Sequence, residues 1–499
     1  MLPATPFLTA LAAPPPPSPP LSPAHSEFAS LEAWLCSVPV RQLPLHGVET
    51  QQYPKGRELQ RLLLQAHIQL RGNGDVGPAL AVQQAGQPAL HTRRRVHTRL
   101  LKTIFGPIPI TRLGYSRRRT SSIYPLDRDL QLPARCFSYE LQKHSILAAV
   151  QGPFQESIDR IFGFSGVSIP KRSLEQILLD AAQDFDIFYA QRSLPTATTS
   201  ILVAAVDAKG IPMVKPGGAK RTPRRSKGQK TNRKRMATVA TVFARAPWVR
   251  TPEEVVESLF RNTPCPATIQ PTLQPPPPRP ENKRVWASLV KGKAAVIAEI
   301  AFEMHRRDPT RSKTHLALSD GERGLQMLVD KTLDVTLILD LIHALDKLWK
   351  AAYVFHAEGS LEAELWVRQR TLRILRGQVS GVVQGLRQSV TKLNLPDSQA
   401  TTLSGVANYL YRNRHRMRYD HYLAQGWPIA SGPVEGACKN LIKDRMERSG
   451  MRWTEAMAEA IVKLRAIYLS GDFDAYWPFH IQKDQQRLHP PGLWTVVLK

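Results

Sequence analysis

One stretch of six consecutive apolar residues, Ile201 to Val206 (ILVAAV), constrains the fold more than any other feature of this chain. A half-exposed strand or an amphipathic helix carries polar residues at regular intervals, whereas a strand that is buried on both faces carries none. The run ends in Asp207, and a short second strand is predicted over 211–214. The pattern therefore predicts a central sheet strand with a carboxylate at its end.

Further strand and helix patterns follow along the chain. We predict a third strand over 236–244, a helix over 285–305, a fourth strand over 314–319, a helix over 322–329 and a fifth strand over 335–339. This β-β-β-α-β-α-β order is that of the ribonuclease-H-like fold, in which the first strand is central and the fourth lies beside it. The chain from about residue 343 to 480 is predicted to be helical, with breaks near Pro396 and over 426–433. The expected fold class is therefore a mixed α/β sheet combined with all-α regions.

Carboxylates follow three of the predicted strands: Asp207, Asp320 and Asp340. Ligands of open α/β sheets gather beyond the carboxyl ends of the strands, so these side chains are candidates for one site. Facing carboxylates suit hard divalent cations such as Mg²⁺, with Mn²⁺ as a substitute, and two ions are the expected number. An Asp after a strand is also a common turn residue or helix cap, and that alternative stays open for Asp320.

The best candidate for a third carboxylate is Glu435. It follows Pro433, which suits the first turn of a helix, so Glu435 is predicted near a helix N-terminus where the helix dipole keeps it ionised. The alternative is a first-turn Glu that only stabilises its own helix. A metal site built from these carboxylates would need no nucleotide, and the sequence contains no Walker motif.

The charge of the chain indicates a polyanionic partner. The sequence has 68 Lys and Arg against 41 Asp and Glu, a formal net charge of +27, and a charge of this size favours binding to nucleic acid. No apolar run is long enough to cross a bilayer, and the N-terminus lacks the pattern of a secretory signal. We therefore expect a soluble cytoplasmic protein that associates with the nucleoid and has no membrane partner.

Several basic segments are candidates for contacting double-stranded DNA. They are a predicted hairpin over 96–115, a helix pair over 154–161 and 170–179 with helix-turn-helix proportions, and a loop over 217–235 that contains no acidic residue. The helix pair has plain helical packing as an equally good alternative, and the loop has a solvated basic run as its alternative. The candidate DNA-contacting residues are Lys171, Arg172, Lys220, Arg221, Arg224, Arg225, Lys227, Lys230, Arg233, Lys234, Arg235, Lys439 and Lys443.

Five blocks of sequence, in this order, resemble bacterial insertion-sequence transposases of the ISKra type. They are VDAKGIPM (206–213), NKRVWASL (282–289), SDGE (319–322), ILDLIH (338–343) and GPVEGACK (432–439). Two upstream blocks, TIFGP (103–107) and AQDFDIFYAQR (182–192), are similar to the same family. The resemblance covers roughly residues 50 to 485. Each block is weak by itself, but their order is specific.

The resemblance implies an Asp-Asp-Glu (DDE) transposase, an enzyme that binds the ends of its element and catalyses metal-dependent cleavage and strand transfer of DNA through 3′-hydroxyl attack. Asp207, Asp320 and Glu435 carry over as the first, second and third carboxylates. Asp340 and His343 look like the acidic residue and the His, two spacers apart, that accompany the second carboxylate in Mutator-like relatives. Asp340 is therefore also a candidate for the second metal ligand. A homo-oligomer on DNA is expected, because two element ends must be joined.

The resulting prediction divides the chain into seven regions. They are a disordered Pro-rich extension (1–26), a helical region (27–90), a DNA-binding region with the basic hairpin and helix pair (91–195), the first part of the ribonuclease-H-like core (196–342), a helical insertion (343–428), the core completion with the Glu435 helix (429–482) and a flexible tail (483–499). Two alternatives remain: a DNA-binding protein or transposase relic without activity, and a nuclease without strand transfer.

Overall fold

A computed structural model describes residues 19–84, 87–194, 198–214, 234–260, 276–430 and 432–497. The strands are β1 (Ala79–Gln84), β2 (Gln87–His91), β3 (Arg93–Thr103), β4 (Gly106–Ser116), β5 (Ile201–Pro212), β6 (Lys234–Arg245), β7 (Glu281–Ser288), β8 (Thr314–Ser319), β9 (Thr336–Leu339) and β10 (Trp494–Val497). Most of the predicted basic loop lies outside the described residues, as do the first 18 residues.

Helices dominate the rest of the described chain. They are α1 (Ser22–Cys36), α2 (Val38–Arg41), α3 (Leu45–Leu70), α4 (Pro125–Asp129), α5 (Tyr139–Gln151), α6 (Phe154–Ser165), α7 (Lys171–Ala182), α8 (Phe185–Gln191), α9 (Pro252–Leu259), α10 (Lys293–Arg307), α11 (Arg323–Thr332), α12 (Leu341–Ala352), α13 (Leu361–Leu375), α14 (Val379–Lys392), α15 (Asp397–Asn413), α16 (Tyr419–Ala424), α17 (Gly432–Ala437), α18 (Asp444–Met446), α19 (Glu455–Ser470) and α20 (Phe473–Leu488). None of these helices combines the length and the apolar character needed to span a bilayer.

The chain divides into two compact units, of which the first comprises residues up to Ile177 and from Trp477 onward. Its antiparallel hairpin β3–β4 is the hairpin predicted from sequence, and the buried residues of β4 alternate with exposed ones over its first half. The alternate residues Ile108 and Ile110 pack with Ile68 of α3 and with Leu126, which explains why this hairpin has one apolar face.

Both ends of the chain differ from the sequence prediction. Helix α1 begins at Ser22, inside the predicted extension, because Pro23 suits a first helical turn and the residues after it are good helix formers. The predicted tail contains the end of α20 and strand β10, which pairs with β1. Trp494 of β10 packs against the buried Leu80 and Val82 cluster, and this apolar contact orders the segment.

The second unit, from Leu178 to Tyr476, contains a five-stranded mixed sheet of order β7-β6-β5-β8-β9. Strands β5, β6 and β7 pair antiparallel, whereas β5, β8 and β9 pair parallel. The Ile201–Val206 run lies in β5 at the centre of the sheet, and all six residues are at most 2% exposed. The prediction of a strand buried on both faces is confirmed.

Two elements of this sheet were predicted wrongly. The chain does not turn after Asp207, because β5 continues to Pro212 and pairs with β6 over its whole length. The predicted helix over 285–305 begins only at Lys293, and residues before it form β7. Residues Val285 to Ser288 pair with β6 at the edge of the sheet, and these tertiary hydrogen bonds outweigh the local helical pattern.

Candidate metal-binding site

The parallel register of three strands brings the predicted aspartates to one edge of the sheet. Val206 of β5 is paired with Ser319 of β8, and Ser319 is paired with Leu339 of β9. Each of these residues is followed by an aspartate. Neighbouring strands lie about 4.8 Å apart. Asp207, Asp320 and Asp340 therefore lie side by side on three adjacent strands, at the same edge of the sheet.

Asp340 is a buried carboxylate that begins a helix. Its side chain is 0% exposed, and one of its oxygens accepts a hydrogen bond from the backbone N–H of Ile342 at 2.8 Å, which makes it the N-cap of α12. Its own N–H donates to the carbonyl of Ser319 at 2.9 Å and so extends the pairing of β8 and β9. The first turn of α12 carries His343.

Glu435 reaches this edge from a separate helix. It lies in the first turn of α17, as predicted, and the helix continues into a π-helical segment, Cys438–Lys443. Such segments are rare, and many of those that are known lie at functional sites. They change the direction of the side chains relative to a regular helix. The irregular helix and the strand-end aspartates thus meet although they are far apart in sequence.

Asp340, His343 and Glu435 each offer one ligand atom, and these atoms lie within 4.8 Å of one another, so the three residues can hold a metal ion. Burial and then the negative charge of Asp340 raise the pKa of Glu435, while His343 acts in the opposite direction. The further carboxylates Asp346 and Asp207 also raise it. This excess of negative charge is the environment that a bound cation would neutralise.

Asp207 lies next to this group and contacts Cys438. The thiol of Cys438 donates to a carboxylate oxygen of Asp207 at 3.1 Å. Burial, followed by the negative charge of Asp207, raises the pKa of the Cys438 thiol. The hydrogen bond therefore holds the Asp207 side chain while the thiol stays protonated, a role that the sequence pattern did not indicate.

Asp320 occupies a more open position than Asp340. One of its carboxylate oxygens accepts from the N–H of Glu322 at 3.0 Å, and its backbone carbonyl accepts from the hydroxyl of Tyr409 at 2.9 Å. Asp320 and His343 both line a cavity of about 550 Å³, together with Tyr409 and Arg412 of α15. Asp320 is therefore accessible to a ligand, although it is not one of the three residues whose ligand atoms cluster.

The predicted DNA-contacting residues have different environments. Lys234 pairs with Glu447 at 2.5 Å, and Arg235 pairs with Glu455, so both cations have protein partners. The side chains of Lys171 and Arg172, at the start of α7, are exposed, and so are those of Lys439 and Lys443. The other candidates lie outside the described residues: Lys220, Arg221, Arg224, Arg225, Lys227, Lys230 and Arg233.

Asp346 and Tyr409 also belong to this region, although neither is among the residues predicted from the sequence. Asp346 lies one helical turn after His343, a spacing that places both on one face of α12 and was available as a signal. Tyr409 has no such signal, because only the packing of α15 brings it to Asp320.

The contact between Cys438 and Asp207 can be tested by thiol labelling of the native protein. We expect a maleimide to modify the exposed Cys36 and Cys136 rapidly and Cys438 at least about tenfold more slowly, because Cys438 is buried and its thiol is hydrogen-bonded. Peptide mass spectrometry over a time course measures each rate. Labelling of Cys438 as fast as that of Cys36 would contradict this site geometry, and labelling in denaturant is the control.

No family model matches the sequence, and no curated protein matches it. What the structure establishes is a mixed α/β protein whose sheet edge carries a potential metal-binding group of Asp, His and Glu side chains. Such a ligand set suits a divalent cation.

Proposed function

We propose that this protein is a DDE transposase of a bacterial insertion sequence, which binds the ends of its element and catalyses metal-dependent cleavage and strand transfer of DNA. The observation that carries the proposal is the cluster of carboxylates at one sheet edge, where Asp207, Asp320 and Asp340 follow paired positions of adjacent strands and Glu435 lies close to Asp340. The sheet order, with the first strand central and the fourth beside it, supports a ribonuclease-H-like core.

In this proposal Asp207, on the central strand, and Asp320, on its parallel neighbour, hold metal ions together with Glu435. Asp320 is favoured over Asp340 as the second carboxylate, because Asp320 lines the open cavity whereas Asp340 is fully buried and caps α12. A site that would hold two ions does not need all its carboxylates to contact one another, so the looser placement of Asp320 fits such a site. Asp340 then contributes negative charge close to Glu435, which raises the pKa of Glu435.

The remaining side chains of the site have supporting roles. Cys438 positions Asp207 through its hydrogen bond. The Nδ1 atom of His343 is buried and has no hydrogen-bond partner in the part of the chain that the structure describes, so it is available to a ligand at the cavity. Bound divalent ions would supply activation of a water or a 3′-hydroxyl and stabilisation of the leaving oxygen. Exposed Lys439 and Lys443 lie on the same helical segment as Glu435 and suit contacts with phosphates.

The large positive charge of the chain supports DNA as the substrate. A formal net charge of +27 favours association with a polyanion, and the exposed first part of β3 carries Arg93 and Arg95. A dimer or larger homo-oligomer is part of the proposal, since strand transfer joins two ends.

The proposal is tested by incubating the full-length protein with duplex DNA that carries the ends of its element. We expect cleavage that exposes a 3′-hydroxyl at the ends, followed by joining to a target plasmid, in Mg²⁺ or Mn²⁺ and not in EDTA. DNA of the same length without the ends is the control. Binding without cleavage under any of these ions would favour the alternative of an inactive DNA-binding relic, and cleavage without joining would favour a nuclease.

A further inference from the structure

A second group of side chains, remote from the carboxylates, has hydrogen-bond donors without acceptors. It lies where β6 ends and the chain leads to α9. The Nε atoms of Arg245 and Arg250 and the Nε1 atom of Trp248 are all buried, and none has a partner in the part of the chain that the structure describes. Buried donors are satisfied in the great majority of cases, so three unsatisfied ones in six residues indicate a missing acceptor.

The segment that carries these donors is held firmly by backbone contacts. The N–H of Trp248 donates to the carbonyl of Gly426 at 2.9 Å. Gly426 has φ +69, and a Cβ atom there would lie 2.5 Å from the backbone nitrogen of Trp248, so the close approach requires glycine. The guanidinium of Arg250 lies over the Trp248 ring at 4.3 Å from its centroid. The donors are thus preorganised by the fold.

The charged residues around this group are arginines and the glutamates of α9. Burial and the positive charge of Arg245 lower the pKa of Arg250 to about 10, and Glu254 offsets this only in part. The carboxylate of Glu254 accepts from the N–H of Thr251 in a capping box. Two other arginines that contact α9 have their own carboxylates, since Arg368 pairs with Glu257 and Arg376 pairs with Glu253. The residues that the structure leaves undescribed include no Asp or Glu.

We infer that Arg245, Trp248 and Arg250 form a binding site for a phosphate group of the DNA backbone, separate from the carboxylate edge. Guanidinium groups match phosphate oxygens in geometry, and an indole N–H is a donor only, so the group offers donors and positive charge to an anion. The inference rests on the proposed function, because that function supplies DNA as the ligand.

The position of the group sets the distance between the two contacts with DNA. Arg245 is paired with Ile201 at the start of β5, whereas Asp207 is paired with Val239. Six residues of strand span about 20 Å, which corresponds to about six base pairs of duplex. The phosphate site therefore engages DNA away from the cleaved bond and contributes to affinity, not to the chemical step.

The test measures DNA binding in EDTA as a function of salt, for the full-length wild type and for Arg245→Gln/Arg250→Gln. We expect the slope of log K against log salt to fall by about 1 to 2 in the double variant, because one or two phosphates lose their partners. Trp248→Phe keeps an aromatic ring, although a smaller one, and removes the N–H, and we expect about fivefold weaker binding at fixed salt. Arg376→Gln is the matched control, since it removes one nearby positive charge that already has a partner, and its slope should equal that of the wild type.

Other outcomes separate this inference from the proposed function. If the wild type binds and cleaves DNA while the double variant shows an unchanged slope, the phosphate site is refuted and the proposed function stands. If inorganic phosphate raises the Tm of the wild type but not of the double variant, and the slope is unchanged, the site takes free phosphate and the assignment to DNA is wrong. Circular dichroism confirms that the variants fold, and single-turnover cleavage of fully bound DNA should be unchanged in the double variant.

Discussion

If the proposed two-ion site exists, Asp207→Asn and Glu435→Gln are each expected to reduce DNA cleavage by at least about 10³-fold, because each removes a negative charge that would hold the ions, a loss of several kcal/mol in transition-state stabilisation. Binding to the element ends in EDTA should persist, since neither carboxylate is a DNA-contacting cation. Cleavage rates and binding isotherms of the same preparations measure both effects. Asp334→Asn, at an 88% exposed side chain paired with Arg311, is the control and should cleave like wild type.

The same assay decides between the two candidates for the second carboxylate. We expect Asp320→Asn to match Asp207→Asn, whereas Asp340→Asn should keep measurable cleavage, because Asn also caps helices well and the buried position serves α12. The reverse result would mean that Asp340, His343 and Glu435 hold the ion as they cluster in the structure. If both variants cleave like wild type, the two-metal proposal is wrong for this sheet edge.

Glu303→Ala is expected to destabilise the second unit by about 3 to 5 kcal/mol, the range found when one partner of a buried ion pair is removed. Glu303 is 1% exposed and accepts from Arg284 at 2.5 Å and from Arg307 at 2.6 Å. Its removal leaves two arginines buried without their shared carboxylate. Urea denaturation followed by tryptophan fluorescence measures the free energy of unfolding, and Glu358→Ala, at an exposed position, is the control.

The Glu303 network also predicts a dependence on pH. Burial alone would raise the pKa of Glu303, but the positive charges of Arg284 and Arg307 outweigh it and leave the pKa lowered from its usual value of 4.5. A carboxylate with a lowered pKa stabilises the folded state above pH 4.5, and this contribution is lost as the pH falls through the lower value. The free energy of unfolding of Glu303→Gln should therefore fall less than that of the wild type as the pH drops below 4.5. A destabilisation below about 1 kcal/mol for Glu303→Ala would contradict the role of this network.

Much of the candidate site could be predicted from local patterns. The apolar run before Asp207 required a strand buried on both faces, so the place of this carboxylate directly after the buried part of a central strand followed from hydrophobicity alone. Pro433 placed Glu435 in the first turn of a helix, and the hairpin predicted over 96–115 is strands β3 and β4. These features depend on neighbours a few residues apart, and the sequence contains that information directly.

Other features depend on contacts between residues far apart in the chain, and no local pattern contains them. Strand β7 was predicted as helix because its pairing with β6 comes from the sheet. The contact between Cys438 and Asp207 has no local signal, because only folding brings the two residues together. The grouping of Asp340 and His343 with Glu435 has the same origin. The sequence by itself thus determined the central strand, the charge and the types of ligand residues. Only the tertiary structure decided which of those residues meet, since register between strands and packing of distant helices set the distances between their side chains.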